Sequence, residues 1–132
     1  MIALLLLTGC FVAYSDDPTP APYNVAPEIT YADAGCYWDE YYYDDIWYFE
    51  ADVDDYDGWD DVVAVYADVY DLRDGSYVDG FDLFPEGKYT WYSDWVGSST
   101  YLYCGYPDYV VDITAVDTHE DIDVVSVTPI VY

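Results

Sequence analysis

The chain has 132 residues, with 28 Asp and Glu against two Lys and Arg, and a formal charge of −26. A field of that sign repels nucleic acid and anionic lipid headgroups, so DNA and RNA are excluded as partners. Tyr supplies 19 residues and Trp 5 while Met supplies one, a composition of strand formers that points to an all-β domain.

The first segment, MIALLLLTGC, holds an apolar run from Ile2 to Leu7. A membrane helix needs about 20 such residues, so a span is excluded, and the run reads as the apolar end of a secretory signal. Leu7, Thr8, Gly9 and Cys10 resemble the bacterial lipobox, in which small residues precede a cysteine that receives lipid. The resemblance implies that residues 1–9 are a signal peptide remnant and that Cys10 becomes the lipidated first residue of the mature chain. No basic residue precedes Cys10, and a signal usually runs roughly 15 to 30 residues, so translation is expected to start upstream of Met1. Phe11, rather than Asp, follows the cysteine. In lipoproteins of the enteric type this permits sorting to the outer membrane. The implied location is the bacterial cell envelope, at the outer membrane or cell surface, with the membrane held through lipid on Cys10.

Residues 10–26 then form a spacer. FVAYSDDPTPAPYNVAPEI carries Pro18, Pro20, Pro22 and Pro27, four of the chain's seven prolines, a density that disfavours helix and leaves an extended tether. The remainder, 27–132, is long enough for one domain with one core.

Within it, DIWYFEADV alternates Trp47, Phe49, Ala51 and Val53 with Tyr48, Glu50 and Asp52. DVVAVYADVYD alternates Val63, Val65, Ala67 and Val69 with Ala64, Tyr66, Asp68 and Tyr70. YVVDITAVD repeats the pattern with Tyr109, Val111, Ile113 and Ala115 facing inward. Each reads as a strand with one buried and one wet face. SYVDGFDLF, KYTWYSDWV and DIDVVSVTPIVY are further strands, separated by turn chemistry at Asp74-Gly75, at Pro85-Glu86-Gly87 and from Thr118 to Asp121. About seven strands at this spacing predict an antiparallel β-sandwich. The segment WYFEADVDDYDGWDDVVAVYADVYD and the closing YVVDITAVDTHEDIDVVSV resemble the first and last hairpins of bacterial immunoglobulin-like domains. The resemblance covers about half the domain and implies an immunoglobulin-like sandwich.

With lipid on Cys10, Cys36 and Cys104 remain as an even pair in an oxidising compartment, and a disulfide is expected. Cys36 precedes the strand that would be B, and Leu102, not Tyr, stands two residues before Cys104. The bridge should therefore pin a loop to the sheet instead of crossing the core as in antibody domains.

The acidic cluster DVDDYDGWDD does not fit an EF-hand. With Gly58 as the loop glycine, the first ligand falls on Val53 and the last on Ala64. The strand assignment offers another arrangement. If 45–53 and 61–69 are strands B and C, and 109–117 and 121–129 are F and G, the two hairpin turns share one end of the sandwich. Asp54, Asp55 and Asp57 then face Asp117, Glu120 and Asp121. Such a pole invites Ca²⁺, which accepts six to eight oxygens in flexible geometry; a merely solvated acidic pole is the competing expectation.

Catalytic chemistry is not legible. His119 is the single histidine and sits in a turn, zinc would need several imidazole or thiolate ligands, and with so many carboxylates any pair can be drawn. The expected role is a non-catalytic structural or interaction module with an unidentified protein or glycan partner. The alternative is a carbohydrate-binding module using Trp38, Tyr41, Tyr42, Tyr43, Trp59, Trp91 and Trp95, for which three or more exposed coplanar rings would be the sign.

Overall fold

The computed structural model describes residues 23–132. Cys10, its lipobox and most of the Pro-rich spacer lie outside the described residues. Eight strands follow in order: β1 (Glu28–Asp39), β2 (Asp44–Asp54), β3 (Val62–Asp71), β4 (Tyr77–Pro85), β5 (Thr90–Val96), β6 (Tyr109–Asp117), β7 (Ile122–Val127) and β8 (Ile130–Val131). Single 3-10 turns lie at Trp59–Asp61 and Gly97–Ser99.

The strands hydrogen-bond into one curled sheet of order β7-β6-β3-β4-β5-β2-β1-β8. This departs from a strictly antiparallel, two-sheet arrangement in two places. A tight turn, closed by Glu86 N–H donating to the Thr90 carbonyl at 2.8 Å, brings the end of β4 against β5, where Phe84 pairs with Tyr92 and Pro85 with Trp91. That pairing joins the two halves into one continuous sheet. The C-terminal strand β8 runs parallel to β1, pairing Ile130 with Gly35 and Val131 with Cys36, so the sheet is mixed. A side chain at position 35 would collide with the Ile130 carbonyl, which is why glycine stands there. The sheet curls until the start of β1 meets β7, where the Ile29 N–H donates to Asp123 Oδ2 at 2.8 Å.

The core is the inner face of this curl. Trp47, Phe49, Ala51 and Val53 of β2, Val65, Ala67 and Val69 of β3, and Tyr109, Val111, Ile113 and Ala115 of β6 are all buried, following the period-two alternation. One residue breaks the expectation. Val63 is exposed and Val62 buried, because a bulge between Val62 and Ala64 in the pairing with β6 shifts the alternation by one residue. Phe49 stacks on Phe81 with ring centroids 4.7 Å apart, and Trp47 meets Tyr109 edge-on at 6.0 Å.

Cys36 of β1 is joined to Cys104, with Cα atoms 5.9 Å apart. Cys36 is fully buried, and Cys104 lies in the long connection between β5 and β6. The bridge thus fastens a loop to the sheet.

Candidate metal centre

Strand register places five chain segments at one end of the molecule. Glu28 at the start of β1 pairs with Asp54 at the end of β2; Val62 at the start of β3 pairs with Asp117 at the end of β6; Val116 pairs with Ile122 at the start of β7. The β2–β3 and β6–β7 turns therefore meet. The Thr118 N–H donates to the Asp61 carbonyl at 2.9 Å, and the Thr118 hydroxyl hydrogen-bonds Asp61 Oδ1.

Each turn is organised by a buried aspartate. In the first, Asp55 Oδ1 accepts the Asp57 N–H at 2.8 Å and its carbonyl accepts the Gly58 N–H at 2.9 Å, a local turn that needs no partner from elsewhere. Gly58 takes φ 117°, where a Cβ would be strained and would also meet Asp60. In the second turn, Asp117 Oδ1 accepts the N–H groups of His119 at 2.8 Å and Asp121 at 2.9 Å. Its Oδ2 accepts Asn24 Nδ2 at 2.6 Å. Asp117 is 1% exposed and Asp55 5%.

The two carboxylates differ in how burial is compensated. Burial disfavours ionisation of Asp117, but the hydrogen bonds from Asn24, Asp121 and His119 outweigh it and hold the group below the usual carboxylate range. Asp55 is pushed up, first by burial; the Asp57 N–H opposes this, while the charges of Asp61, Asp57 and Asp117 add to it. Its second oxygen, Oδ2, is enclosed and has no hydrogen-bond partner, and the same holds for Asp61 Oδ2.

Asp55, Asp57 and Asp61 each bring a carboxylate oxygen within 4.8 Å of the others, and Asp61, Asp117 and His119 form a second such group. Such groups can hold a metal ion. Oxygen ligands in this number suit a hard divalent cation; zinc would want more than the one exposed imidazole of His119. Of the two basic side chains, Arg73 pairs with Asp108 at 2.9 Å at the opposite end of β3, while Lys88, in the β4–β5 turn, lines a small cavity with Trp59, Asp60 and Val62 at the edge of the pole and forms no ion pair among the described residues.

Of the six residues expected at this pole, Asp55, Asp57 and Asp117 come together. Asp121 stands beside them, its Oδ2 accepting Asn24 Nδ2 at 2.7 Å. Asp54 and Glu120 stand apart, both exposed: Asp54 Oδ1 accepts the Asp55 N–H at 2.9 Å, and Glu120 occupies the left-handed turn position at φ 67°. Asp61 and Asn24 were not anticipated. No protein-family model matches the chain, and no curated protein or solved structure matches it.

Proposed function

We propose that the chain is a lipid-anchored, non-catalytic module of the bacterial cell envelope, displayed on its Pro-rich tether, presenting an interaction surface and stiffened by Ca²⁺ at the acidic pole. The observation that carries the Ca²⁺ reading is the enclosed, unpartnered Oδ2 of Asp55 grouped with Asp57 and Asp61. An ionised oxygen buried without a donor is costly, and a cation is the partner that a ring of acceptors lacks. An immunoglobulin-like form of the domain is supported by the strand neighbours: β1, β2 and β5 lie together, and β4, β3, β6 and β7 lie together, as in the two halves of that sandwich.

The exposed rings favour protein contact over sugar stacking. Trp38, Tyr41, Tyr42 and Tyr43 are exposed around the β1–β2 turn, but Trp38 meets Tyr43 at 73° and Tyr41 meets Tyr42 at 86°. These are edge-to-face pairs and make no coplanar platform. Trp91 is buried, and Trp95 packs against Phe81. Clustered tyrosines on turns at one end of a β-domain suit protein recognition, supplying rigid area at low entropic cost.

Two measurements test this reading. With the full upstream signal present, the protein should fractionate with membranes and Cys10→Ala should release it; a variant that still pellets would remove the anchor. In the second, 10 mM CaCl₂, taken against an affinity of about 10⁻⁴ to 10⁻³ M, stabilises the fold by about 1.4–2.7 kcal/mol, and MgCl₂ at equal ionic strength does less. Asp55→Asn should raise the Ca²⁺-free unfolding temperature, because it removes a buried unpaired charge, and should abolish the Ca²⁺ increment. Equal stabilisation by both ions, unaltered by the substitution, would leave only a solvated acidic pole.

A further inference from the structure

Among the described residues, four enclosed side-chain polar atoms have no hydrogen-bond partner: Asn24 Oδ1, Trp47 Nε1, Asp55 Oδ2 and Asp61 Oδ2. Three of the four are oxygens at the acidic pole, and one of these, Asn24 Oδ1, comes from the segment ahead of β1.

The orientation of the Asn24 amide is fixed by its neighbours. Its nitrogen donates to Asp117 Oδ2 at 2.6 Å and to Asp121 Oδ2 at 2.7 Å, so nitrogen is the end that faces those carboxylates. The oxygen is left enclosed with no donor. The next residue adds a second stitch, the Val25 N–H donating to Asp57 Oδ2 at 2.9 Å. The segment ahead of β1 is therefore held by acidic residues of both turns.

An enclosed carbonyl oxygen without a donor is destabilising, and two carboxylate oxygens of the same pole have the same deficit. No N–H or hydroxyl serves any of the three. Asp61 groups with Asp55 and Asp57 and also with Asp117, and Asn24 is bonded to Asp117, so the three residues belong to one connected cluster. Amide carbonyls are ordinary ligands of Ca²⁺ beside carboxylates.

We propose that Asn24 is a ligand of the cation at this pole, its Oδ1 joining Asp55 Oδ2, Asp61 Oδ2 and oxygens of Asp57 and Asp117, so that Ca²⁺ fastens the tether to the domain. This rests on the Ca²⁺ reading given above and adds a consequence to it. A chain held at Asn24 joins the domain next to the acidic pole, at the opposite end of β1 from the aromatic β1–β2 turn. Removal of Ca²⁺ leaves the hydrogen bonds of Asn24 and Val25 and the buried Pro27 to hold the segment, and its start at Tyr23 and Asn24 loosens.

The test uses the full chain, with CaCl₂ as the probe and two readouts: Ca²⁺ affinity by calorimetry, and the rate of chymotryptic cleavage after Tyr23, which is 84% exposed, followed by mass spectrometry. In the natural sequence Ca²⁺ should slow that cleavage. Asn24→Ala should weaken Ca²⁺ binding about tenfold and make cleavage insensitive to Ca²⁺. Asn24→Asp keeps an oxygen ligand while losing the amide donors, and should retain Ca²⁺ binding and Ca²⁺-dependent protection. If the natural sequence shows no Ca²⁺-specific binding, the metal reading of the pole itself fails. If it binds Ca²⁺ and Asn24→Ala binds equally well with unchanged protection, the pole holds its ion without the tether and this inference is overturned. Loss of protection in Asn24→Asp as well as in Asn24→Ala would also overturn it, because the hydrogen bonds of the amide nitrogen would then be the whole clasp.

Discussion

Removal of the Cys36–Cys104 disulfide lowers the stability of the domain by about 4 kcal/mol, the chain-entropy estimate for a closed loop of this length, which here spans 68 residues. The loop runs from β1 almost to β6, so the crosslink restrains most of the unfolded chain. In the folded state its effect is local. The connection between β5 and β6 buries Leu102 and is tied to three strands besides, the Ser98 N–H donating to Asp44 Oδ2 at 3.1 Å, the Tyr101 N–H to Asp79 Oδ2 at 2.9 Å and the Tyr106 hydroxyl to Asp71 Oδ2 at 2.7 Å. Urea unfolding of the oxidised protein against a Cys36→Ala, Cys104→Ala double variant measures the loss. The Ca²⁺ increment should persist in the double variant, because Cys104 lies in a connection at the opposite end of β6 from Asp117, and distant sites add independently. A loss under about 1 kcal/mol would show that the unfolded chain is already compact enough for the crosslink to restrain little.

Alternation made β2, β3 and β6 legible, and in β2 and β6 it carries through to the acidic pole. Counting by two along β2 from Trp47 through Phe49, Ala51 and Val53 arrives at Asp55; counting along β6 from Tyr109 through Val111, Ile113 and Ala115 arrives at Asp117. Both aspartates continue the inward face of their strands, which is why both are buried at the end of the core. Asp54 and Glu120 are exposed, and their place in the expected set came from proximity in sequence alone.

The remainder was hidden for physical reasons. Strand β1, EITYADAGCYWD, lacks a clean period because a register shift between Ile29 and Tyr31 flips its alternation and its inward positions are the small residues Ala34 and Cys36. Strand β8 contributes two paired residues, too few for any pattern. Asp61 enters the site through the Thr118 contact between separate hairpins, and Asn24 through a segment whose prolines read only as a spacer. Contacts between distant segments leave no periodicity to read.

Asp117→Ala should lower the unfolding temperature by on the order of 10 °C, more than any other single change at the pole. The reason is the number of groups that depend on it: two backbone N–H groups and the Asn24 amide lose their acceptor at once, inside the turn that orders β7. Asp117→Asn keeps an oxygen for the two N–H groups but turns its own amide nitrogen toward that of Asn24, so it should be intermediate.

The pH dependence separates this role from that of Asp55. Asp117 has a lowered folded value, so its contribution is present above the unfolded carboxylate value, about 3.9, and is lost as pH falls through the still lower folded value. Asp55, Glu50 and Asp68 have raised folded values, chiefly from burial. The folded state holds their protons more tightly, so stability falls as pH rises through those values. The Ca²⁺-free protein should therefore be most stable in mild acid, between the two sets. Asp117→Ala should flatten the acid limb and leave the fall toward neutral pH intact, whereas Asp55→Asn should reduce that fall and leave the acid limb. Ca²⁺ needs Asp55 ionised, so it should add most on the neutral side, where the unliganded pole is weakest. Urea midpoints from pH 3 to 8, with and without Ca²⁺, check all three; an acid limb unchanged by Asp117→Ala would assign acid unfolding to other carboxylates.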